Sequence, residues 1–216
     1  MTSSPISLSR VHFPVRTLGP GQRIGIWFQG CSIRCVGCIS MDTWASNSPD
    51  HTVEEVVSSA ASWLSQADGI TISGGEPFDQ ADALHELLRQ VRRPGQDILV
   101  YSGYALEKLD LCRFDGLIDA IVADPFSLAH QQTLALRGSD NQRLVCLTPL
   151  GRARLGDQER RLSADERHLD LMFAENEVFM VGIPARGDLS KLSELLRAQG
   201  HQVSTTQDER ASDERD

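Results

Sequence analysis

Three cysteines stand close together near the start of the chain, at Cys31, Cys35 and Cys38. They follow a predicted strand, "RIGIWFQG", so their thiols can converge from one loop on a single inorganic centre. A closed structural zinc site needs four ligands, whereas three thiolates on a [4Fe-4S] cluster leave one iron free for an exogenous ligand. The C-x3-C-x2-C spacing therefore favours a cluster with an open iron, and an open coordination position indicates catalysis.

The other two cysteines, Cys112 and Cys146, provide the structural alternative, a zinc site that borrows one of them as its fourth ligand. Both lie in apolar stretches, where we expect them to pack as small hydrophobic side chains. The six histidines form no close metal-ligand pair, so no second metal site is predicted. Trp27, beside the cysteine loop, either shields the centre from water and oxygen or packs as an ordinary core side chain.

A second motif, "ISGGEP" at residues 72 to 77, follows another predicted strand. Proteins with α/β folds place their ligands at the carboxyl ends of strands, and Gly74 and Gly75 would let a substrate approach the backbone there. The exposed carbonyl groups can accept hydrogen bonds from an ammonium group, and Glu76 adds negative charge beside them. Such a turn is also typical of ordinary βα connections, but its place one βα unit after the cysteines favours a ligand role.

The elements that must position these loops alternate between strands and helices, which is typical of an α/β protein with a parallel sheet. Thr52 and Glu55 form a capping-box pattern at the start of the first helix, and Asp79 is the predicted cap of the second. The predicted elements are a helix over 53–64, a strand over 69–75, a helix over 79–93, a strand over 97–103, a short helix near 105–111 and a strand over 118–124.

The carboxyl-terminal part is harder to interpret. Apolar periodicity is weak over 125–170, which we interpret as a loop or crossover, with "GRARLGDQERR" too polar to contribute to a core. A buried strand over 177–184 and a leucine-rich helix that ends before Gly200 follow. The sequence therefore predicts a single domain over 1–200, with 151–200 as an extension, and a disordered tail over 201–216.

The composition agrees with one compact domain, because 216 residues with 40% hydrophobic side chains can bury a substantial core. The net charge of −9 is spread without a basic stripe, so a nucleic-acid partner is not expected. No leader pattern and no apolar run of membrane-spanning length are present, so we expect no membrane association and a cytoplasmic location. In that reducing compartment a tight cysteine cluster indicates metal or redox chemistry rather than disulfides.

Several separated motifs together resemble the radical S-adenosylmethionine superfamily. "GPGQRIGIWFQGCSIRCVGCISMDTW", "SGGEP", "YSGY" and "LRGSDNQRL" occur in the order found in anaerobic ribonucleoside-triphosphate reductase-activating proteins. More distantly, they are similar to pyruvate formate-lyase-activating enzymes. The resemblance covers about residues 11–150 and implies a partial (βα) barrel of the radical S-adenosylmethionine type.

The resemblance also implies roles for particular residues, and it assigns no catalytic residue beyond the cluster. The three cysteines would hold a [4Fe-4S] cluster with one open iron, and the G-G-E turn would hold the amino-acid end of S-adenosylmethionine. Ser102 and Gly103 would lie near its ribose or methionyl part. The polar loop with Arg137, Asn141 and Arg143 would contact the partner or the S-adenosylmethionine carboxylate, or else form a solvated turn.

The implied activity is reductive cleavage of S-adenosylmethionine to a 5′-deoxyadenosyl radical, which generates a glycyl radical on a partner enzyme. Anaerobic ribonucleotide reductase is the expected partner, and a low-potential protein such as flavodoxin or ferredoxin is the expected electron donor. One alternative is a radical enzyme that modifies another protein, a peptide or a small molecule recognised by residues 150–200. The non-enzymatic alternative is a structural zinc or iron-sulfur interaction module.

Overall fold

The computed structural model describes residues 3–163, 166–173 and 178–202. Its strands are β1 (Pro5–Ile6), β2 (Leu8–Val15), β3 (Arg23–Phe28), β4 (His51–Thr52), β5 (Gly69–Gly74), β6 (Asp97–Tyr101), β7 (Ala120–Ala123), β8 (Arg143–Cys146), β9 (Leu169–Phe173) and β10 (Val178–Gly182). Its α-helices are α1 (Val53–Ser59), α2 (Ala61–Leu64), α3 (Ala81–Val91), α4 (Pro149–Leu155) and α5 (Asp188–Ala198). Short 3-10 helices lie at Met41–Thr43, Pro77–Gln80, Leu106–Lys108, Leu111–Phe114 and Gly156–Gln158.

Six strands form the central sheet, in the order β2-β3-β5-β6-β7-β8. The four inner strands, β3, β5, β6 and β7, are parallel, and the two edge strands pair antiparallel with them. This arrangement confirms the predicted α/β class with a parallel sheet. The sheet is open, since β2 and β8 lie at its two edges, and the register of β2 is irregular between Leu8 and Arg10 and between His12 and Val15.

One face of the sheet packs against helices α1 and α3. Ile24, Ile26 and Phe28 alternate along β3 and belong to the largest core cluster, together with buried side chains of both helices. The predicted capping box is confirmed, because the Thr52 side chain accepts from the Glu55 N–H and the Glu55 side chain accepts from the Thr52 N–H. The single predicted helix over 53–64 is instead two short helices, α1 and α2, that meet at Ala60.

The other face of the sheet carries Trp27, which packs against Met172 and Val181 of the β9–β10 hairpin. The ring of Trp27 lies over Gly25, where an added Cβ would stand only 2.3 Å from ring atom Cη2. The indole is therefore folded back along its own strand toward Gly25. Of the two roles considered for Trp27, the structure supports the ordinary core side chain.

A buried ion pair crosses the amino ends of the parallel strands. Arg23 on β3 and Asp97 on β6 are both fully buried, and the guanidinium Nη2 lies 2.6 Å from the carboxylate Oδ2. Arg23 also donates from Nε to the hydroxyl of Thr71 at 2.6 Å and from Nη2 to the carbonyl of Ile70 at 2.8 Å. These bonds satisfy both charges inside the sheet, so losing one partner would leave the other buried and uncompensated.

Several sequence-based predictions for the carboxyl-terminal half were wrong. Residues 125–170 contain β8, α4 and the start of β9, and Leu155 in the segment judged too polar for a core is fully buried. Helix α5 lies where it was predicted and its Leu189 is buried, but Leu195 is 63% exposed, because the helix packs through only part of its leucine stripe. The predicted tail falls almost entirely outside the described residues, at 203–216, as does residue 177 of the predicted strand over 177–184.

Among the described residues, no helix has the length and apolar character needed to cross a membrane.

Candidate functional site

The candidate site lies at the carboxyl ends of the parallel strands. The cysteine loop (29–40) follows β3, the G-G-E turn (74–76) follows β5, and the S-G-Y turn (102–104) follows β6. Because β3, β5 and β6 are parallel neighbours, these three connections emerge at one edge of the sheet. The fold therefore brings together the loops that hold all eight predicted site residues.

The cysteine loop and the G-G-E turn touch at the backbone. Gly75 donates its N–H to the Phe28 carbonyl at 2.8 Å, and Glu76 donates its N–H to the Gly30 carbonyl at 2.9 Å. A Cβ at position 75 would lie 2.0 Å from the Gly30 oxygen, closer than any real contact. Only glycine fits there, so the second glycine of the motif lets the two loops meet.

Glycine suits the other two positions of the site, 74 and 103, for different reasons. Gly74 adopts a φ of +101°, where an added Cβ would meet the backbone of Phe28 at 2.5 Å. At Gly103 an added Cβ would lie 2.9 Å from Cδ1 of Ile33, a side chain of the cysteine loop. At all three positions a neighbouring segment, either the end of β3 or the cysteine loop, lies close to the glycine backbone.

Glu76 ties the G-G-E turn to the end of β6. One carboxylate oxygen accepts from the Ser102 hydroxyl at 2.9 Å and from the Phe78 N–H at 3.0 Å, and the other accepts from the Gly103 N–H at 2.8 Å. The side chain is buried, and this burial raises its pKa to about 7 against the opposing effect of these hydrogen bonds. A carboxylate offers about four acceptor positions, so one remains for a further donor.

A polar network that the sequence did not reveal holds the outer side of the cysteine loop. Asp79 accepts from the Ser32 N–H at 2.8 Å, from the Ser32 hydroxyl at 2.9 Å and from the Tyr104 hydroxyl at 2.7 Å. Asp79 was predicted to cap a helix, but α3 begins later, at Ala81, and Gln80 occupies the cap position without a side-chain bond. The prediction was wrong because the long-range bonds to Ser32 and Tyr104 claim the carboxylate.

The three cysteine thiols are free and partly buried. The Arg34 N–H points to the Cys31 sulfur at 3.5 Å, and the Ser40 N–H points to the Cys38 sulfur at 3.4 Å. Burial is the largest cause that raises the pKa of Cys35 and of Cys38, and the negative charge of the neighbouring thiolates raises both further. The three sulfurs thus lie close enough to repel one another when ionised, and a bound cation would remove that repulsion.

These features fit an iron-sulfur cluster. Within the described residues, no three cysteine, histidine, aspartate or glutamate side chains converge tightly enough to hold a single metal ion. A cubane cluster sets a different requirement, because each thiolate binds a different iron, and N–H groups directed at the sulfurs tune its potential. Three thiols on one loop, two of them with such donors, form a donor set of this kind.

The remaining two cysteines belong to none of the three loops of the site. Cys146 on β8 pairs with Ala120, the first residue of β7, whereas the cysteine loop emerges at the carboxyl ends of the parallel strands. As predicted, Cys146 packs against a hydrophobic cluster. The same prediction was wrong for Cys112, which is exposed in the Leu111–Phe114 turn. Within the described residues, neither cysteine joins a group of three metal-binding side chains, so the structure shows no closed zinc site.

The polar loop after residue 136 is not a solvated turn. Arg137 is fully buried and forms an ion pair with Glu159, while Arg143 bridges Asp124 at 2.8 Å and Glu107 at 2.6 Å. Asn141 donates to the Pro125 carbonyl at 2.8 Å. The loop therefore serves largely as a support for the segment that follows β7, and Arg143 fixes Asp124 in its left-handed conformation, with φ of +85°.

Residues 17–145 match the family model described as "4Fe-4S single cluster domain". Over 132 residues the chain is 30% identical to the anaerobic ribonucleoside-triphosphate reductase-activating protein of Enterobacteria phage T4, an alignment that covers 58% of this chain and 85% of that protein. The protein of the same name from Escherichia coli strain K12 is 30% identical over 144 residues, which cover 61% of this chain and 93% of that protein.

A pyruvate formate-lyase-activating enzyme from Listeria monocytogenes is also similar, with 30% identity over 155 residues. That alignment covers 64% of this chain and 61% of the enzyme. The family match includes all three cysteines and the G-G-E and S-G-Y turns, and it ends before α4. Residues from 146 onward lie outside this match.

Proposed function

The chain belongs to the 4Fe-4S single cluster domain family and is a radical S-adenosylmethionine enzyme of the activating type, and on this premise we propose that it generates a glycyl radical on a partner enzyme. The observation that carries the proposal is the backbone contact between Gly30 and Gly75, which fixes the cysteine loop against the G-G-E turn. A cluster and an amino acid bound at these two loops would be immediate neighbours.

Cys31, Cys35 and Cys38 would hold the [4Fe-4S] cluster and leave one iron open. When bound and reduced, this cluster supplies one electron to the sulfonium of S-adenosylmethionine, whose S–C5′ bond breaks to give methionine and a 5′-deoxyadenosyl radical. The protein's part would be to hold S-adenosylmethionine beside the cluster through the G-G-E and S-G-Y turns and to exclude water.

The residues of the two turns would orient S-adenosylmethionine. The carbonyl groups of Gly74 and Gly75 would accept from its amino group, and the remaining acceptor position of Glu76 would add charge complementarity. Ser102 and Gly103, both bonded to Glu76, would set the wall beside the ribose or methionyl part. Through these hydrogen bonds Glu76 fixes the S-G-Y turn relative to the G-G-E turn.

The partner we propose is the large subunit of an anaerobic ribonucleotide reductase, since two of the relatives described above activate a reductase by name. The radical would take a hydrogen atom from a backbone glycine of that partner and leave as 5′-deoxyadenosine. A low-potential flavodoxin or ferredoxin would supply the electron. Free thiols that must stay reduced suit a cytoplasmic setting.

The test is anaerobic reconstitution with iron and sulfide, followed by dithionite and S-adenosylmethionine, with 5′-deoxyadenosine as the measured product. Wild type is expected to form it, Cys35→Ala to form none, and the matched control Cys112→Ala to behave as wild type, because Cys112 lies outside the site. Adding the reductase subunit should then give the doublet of a glycyl radical in electron paramagnetic resonance. Product formation in Cys35→Ala would contradict the assignment of the cluster, and cleavage without a doublet would contradict the partner.

A further inference from the structure

The carboxyl-terminal segment, which lies outside the matched family domain, returns to the candidate site through Arg186. Its guanidinium donates to the Leu128 carbonyl at 2.7 Å, to the Ser127 carbonyl at 3.2 Å and to the His130 carbonyl. It also lies over the ring of Phe126, 6.0 Å from the centroid. The Arg186 side chain thus contacts four of the five residues of the segment 126–130, which follows β7.

The segment 126–130 in turn contacts the cysteine loop. The Phe126 backbone lies close enough to the Cys35 thiol to oppose, as a hydrogen-bond donor, the burial that raises the pKa of that thiol. The Leu128 side chain packs directly on Gly37, where an added Cβ would lie 2.8 Å from a Leu128 methyl group. Gly37 stands between Cys35 and Cys38, so the segment covers the part of the loop that carries two of the three cysteines.

Arg186 binds the part of this segment that lies beyond the contacts made by the loop before β8. Asn141 binds the Pro125 carbonyl at 2.8 Å, and the Ser139 hydroxyl accepts from the Ser127 N–H at 3.0 Å, so the amino-terminal half is anchored from within the matched domain. Residues 128–130 are exposed, and His130 forms short-range hydrogen bonds with Ser127. The carbonyl groups of Leu128 and His130 accept hydrogen bonds from Arg186.

We propose that Arg186 is a positioning residue, which acts through the segment 126–130 to hold the Cys35–Cys38 part of the cysteine loop in place and to limit the access of water and small molecules to it. This inference rests on the proposed function for its catalytic consequence. Its structural content, that Arg186 controls the order of 128–130 and the exposure of Cys35, stands without it.

The geometry of the guanidinium explains why arginine is suited to the role. Its planar fork presents five N–H donors and can serve three carbonyl groups from one fixed position, whereas the lysine ammonium group offers three donors at a single point. Arg186→Ala removes the bonds altogether, and Arg186→Lys retains the positive charge without the fork. Lys191→Ala is the matched control, because it removes a positive charge from the same segment at an exposed position on α5, where Lys191 faces Asp188.

The first measurements use the full chain before reconstitution, and they do not depend on any activity. Hydrogen exchange of peptides over 126–132 and the alkylation rate of Cys35 by iodoacetamide, with Cys31 as the internal reference, are compared between variants. In Arg186→Ala both are expected to rise about fivefold to tenfold, the factor that corresponds to losing about 1–1.4 kcal/mol of hydrogen bonding. Both rates in Arg186→Lys should lie between those of Arg186→Ala and wild type. Both rates in Lys191→Ala should equal those of wild type.

The second measurement follows the visible absorption of the reconstituted cluster during exposure to an iron chelator under anoxia. Loss of the absorption should be about fivefold faster in Arg186→Ala, on the same free-energy basis. Unchanged exchange, alkylation and chelator kinetics in Arg186→Ala would overturn the proposal, as would equal changes in Lys191→Ala. Exchange in β5 serves as the folding control, since a rise there would show general unfolding and would also count against a local role. Failure of the deoxyadenosine assay in wild type would refute the proposed function and leave these measurements valid.

Discussion

Substitution of Gly75 by alanine is predicted to separate the cysteine loop from the G-G-E turn. The new Cβ would lie 2.0 Å from the Gly30 oxygen, 2.7 Å from its carbonyl carbon and 3.0 Å from the Thr43 oxygen. All three are backbone atoms, so no side-chain rotation can relieve the overlap. One of the two loops must move away from the other.

The size of the effect follows from the bonds that this movement breaks. The Gly75 N–H and the Glu76 N–H each donate to the cysteine-loop side of the contact, at 2.8 and 2.9 Å. Leaving a buried backbone group unsatisfied costs about 1–3 kcal/mol, so the free energy of unfolding should fall by roughly 2–6 kcal/mol. For a chain of this size that lowers Tm by roughly 4–24 °C.

The assay combines thermal unfolding with S-adenosylmethionine binding to the reconstituted protein. Gly95→Ala is the matched control, because Gly95 has a φ of +79° and an added Cβ there meets no atom within 4 Å. It should lose only the 1–2 kcal/mol or so of a left-handed alanine and bind S-adenosylmethionine normally. If Gly75→Ala were as stable as Gly95→Ala and bound S-adenosylmethionine equally well, the reasoning from the Gly30–Gly75 contact would be refuted.

Three further predictions concern charge and capping. The Glu76 carboxyl, whose pKa burial raises to about 7, attracts an ammonium group only when it is ionised. The dissociation constant for S-adenosylmethionine should therefore rise about tenfold as the pH falls from 8 to 6; Glu76→Gln should remove that dependence, and a flat profile in wild type would contradict the contact. Asp97→Ala leaves Arg23 buried and unpaired and should cost about 3–5 kcal/mol in urea unfolding. Asp82→Ala, at an exposed pair, should change stability by less than about 1 kcal/mol, and equal losses would disprove the distinction. Thr52→Ala should cost about 1 kcal/mol by the same method through loss of the capping box, and no loss would show that the box is not stabilising.

The sequence predicted features that depend on short-range patterns or on a general rule of sheets. The capping box at Thr52 joins residues three apart, and the meeting of the cysteine loop with the G-G-E turn follows from parallel strands ending at one edge. In both cases the determining geometry is regular, so spacing alone is sufficient.

Features that depend on long-range competition could not be predicted in this way. Asp79 has the residue type and position of a helix cap, yet its carboxylate binds Ser32, 47 positions away in the sequence. Leu155 lies in a strongly polar segment and is buried only because the rest of the fold packs against one side of α4. Arg186 carries no local signal, since its partners are carbonyl groups of a segment 56–59 positions earlier.

The edges of the central sheet bear on how the chain associates with other proteins. Edge strand β2 contains Arg10, Pro14 and two irregularities of register, and edge strand β8 is four residues long and carries Arg143. Charged side chains, proline, bulges and short length all make an edge a poor template for an incoming strand. Both edges of the central sheet therefore disfavour pairing with a strand of another chain, whether in aggregation or in partner docking. We therefore expect a partner enzyme to dock without adding a strand to the central sheet.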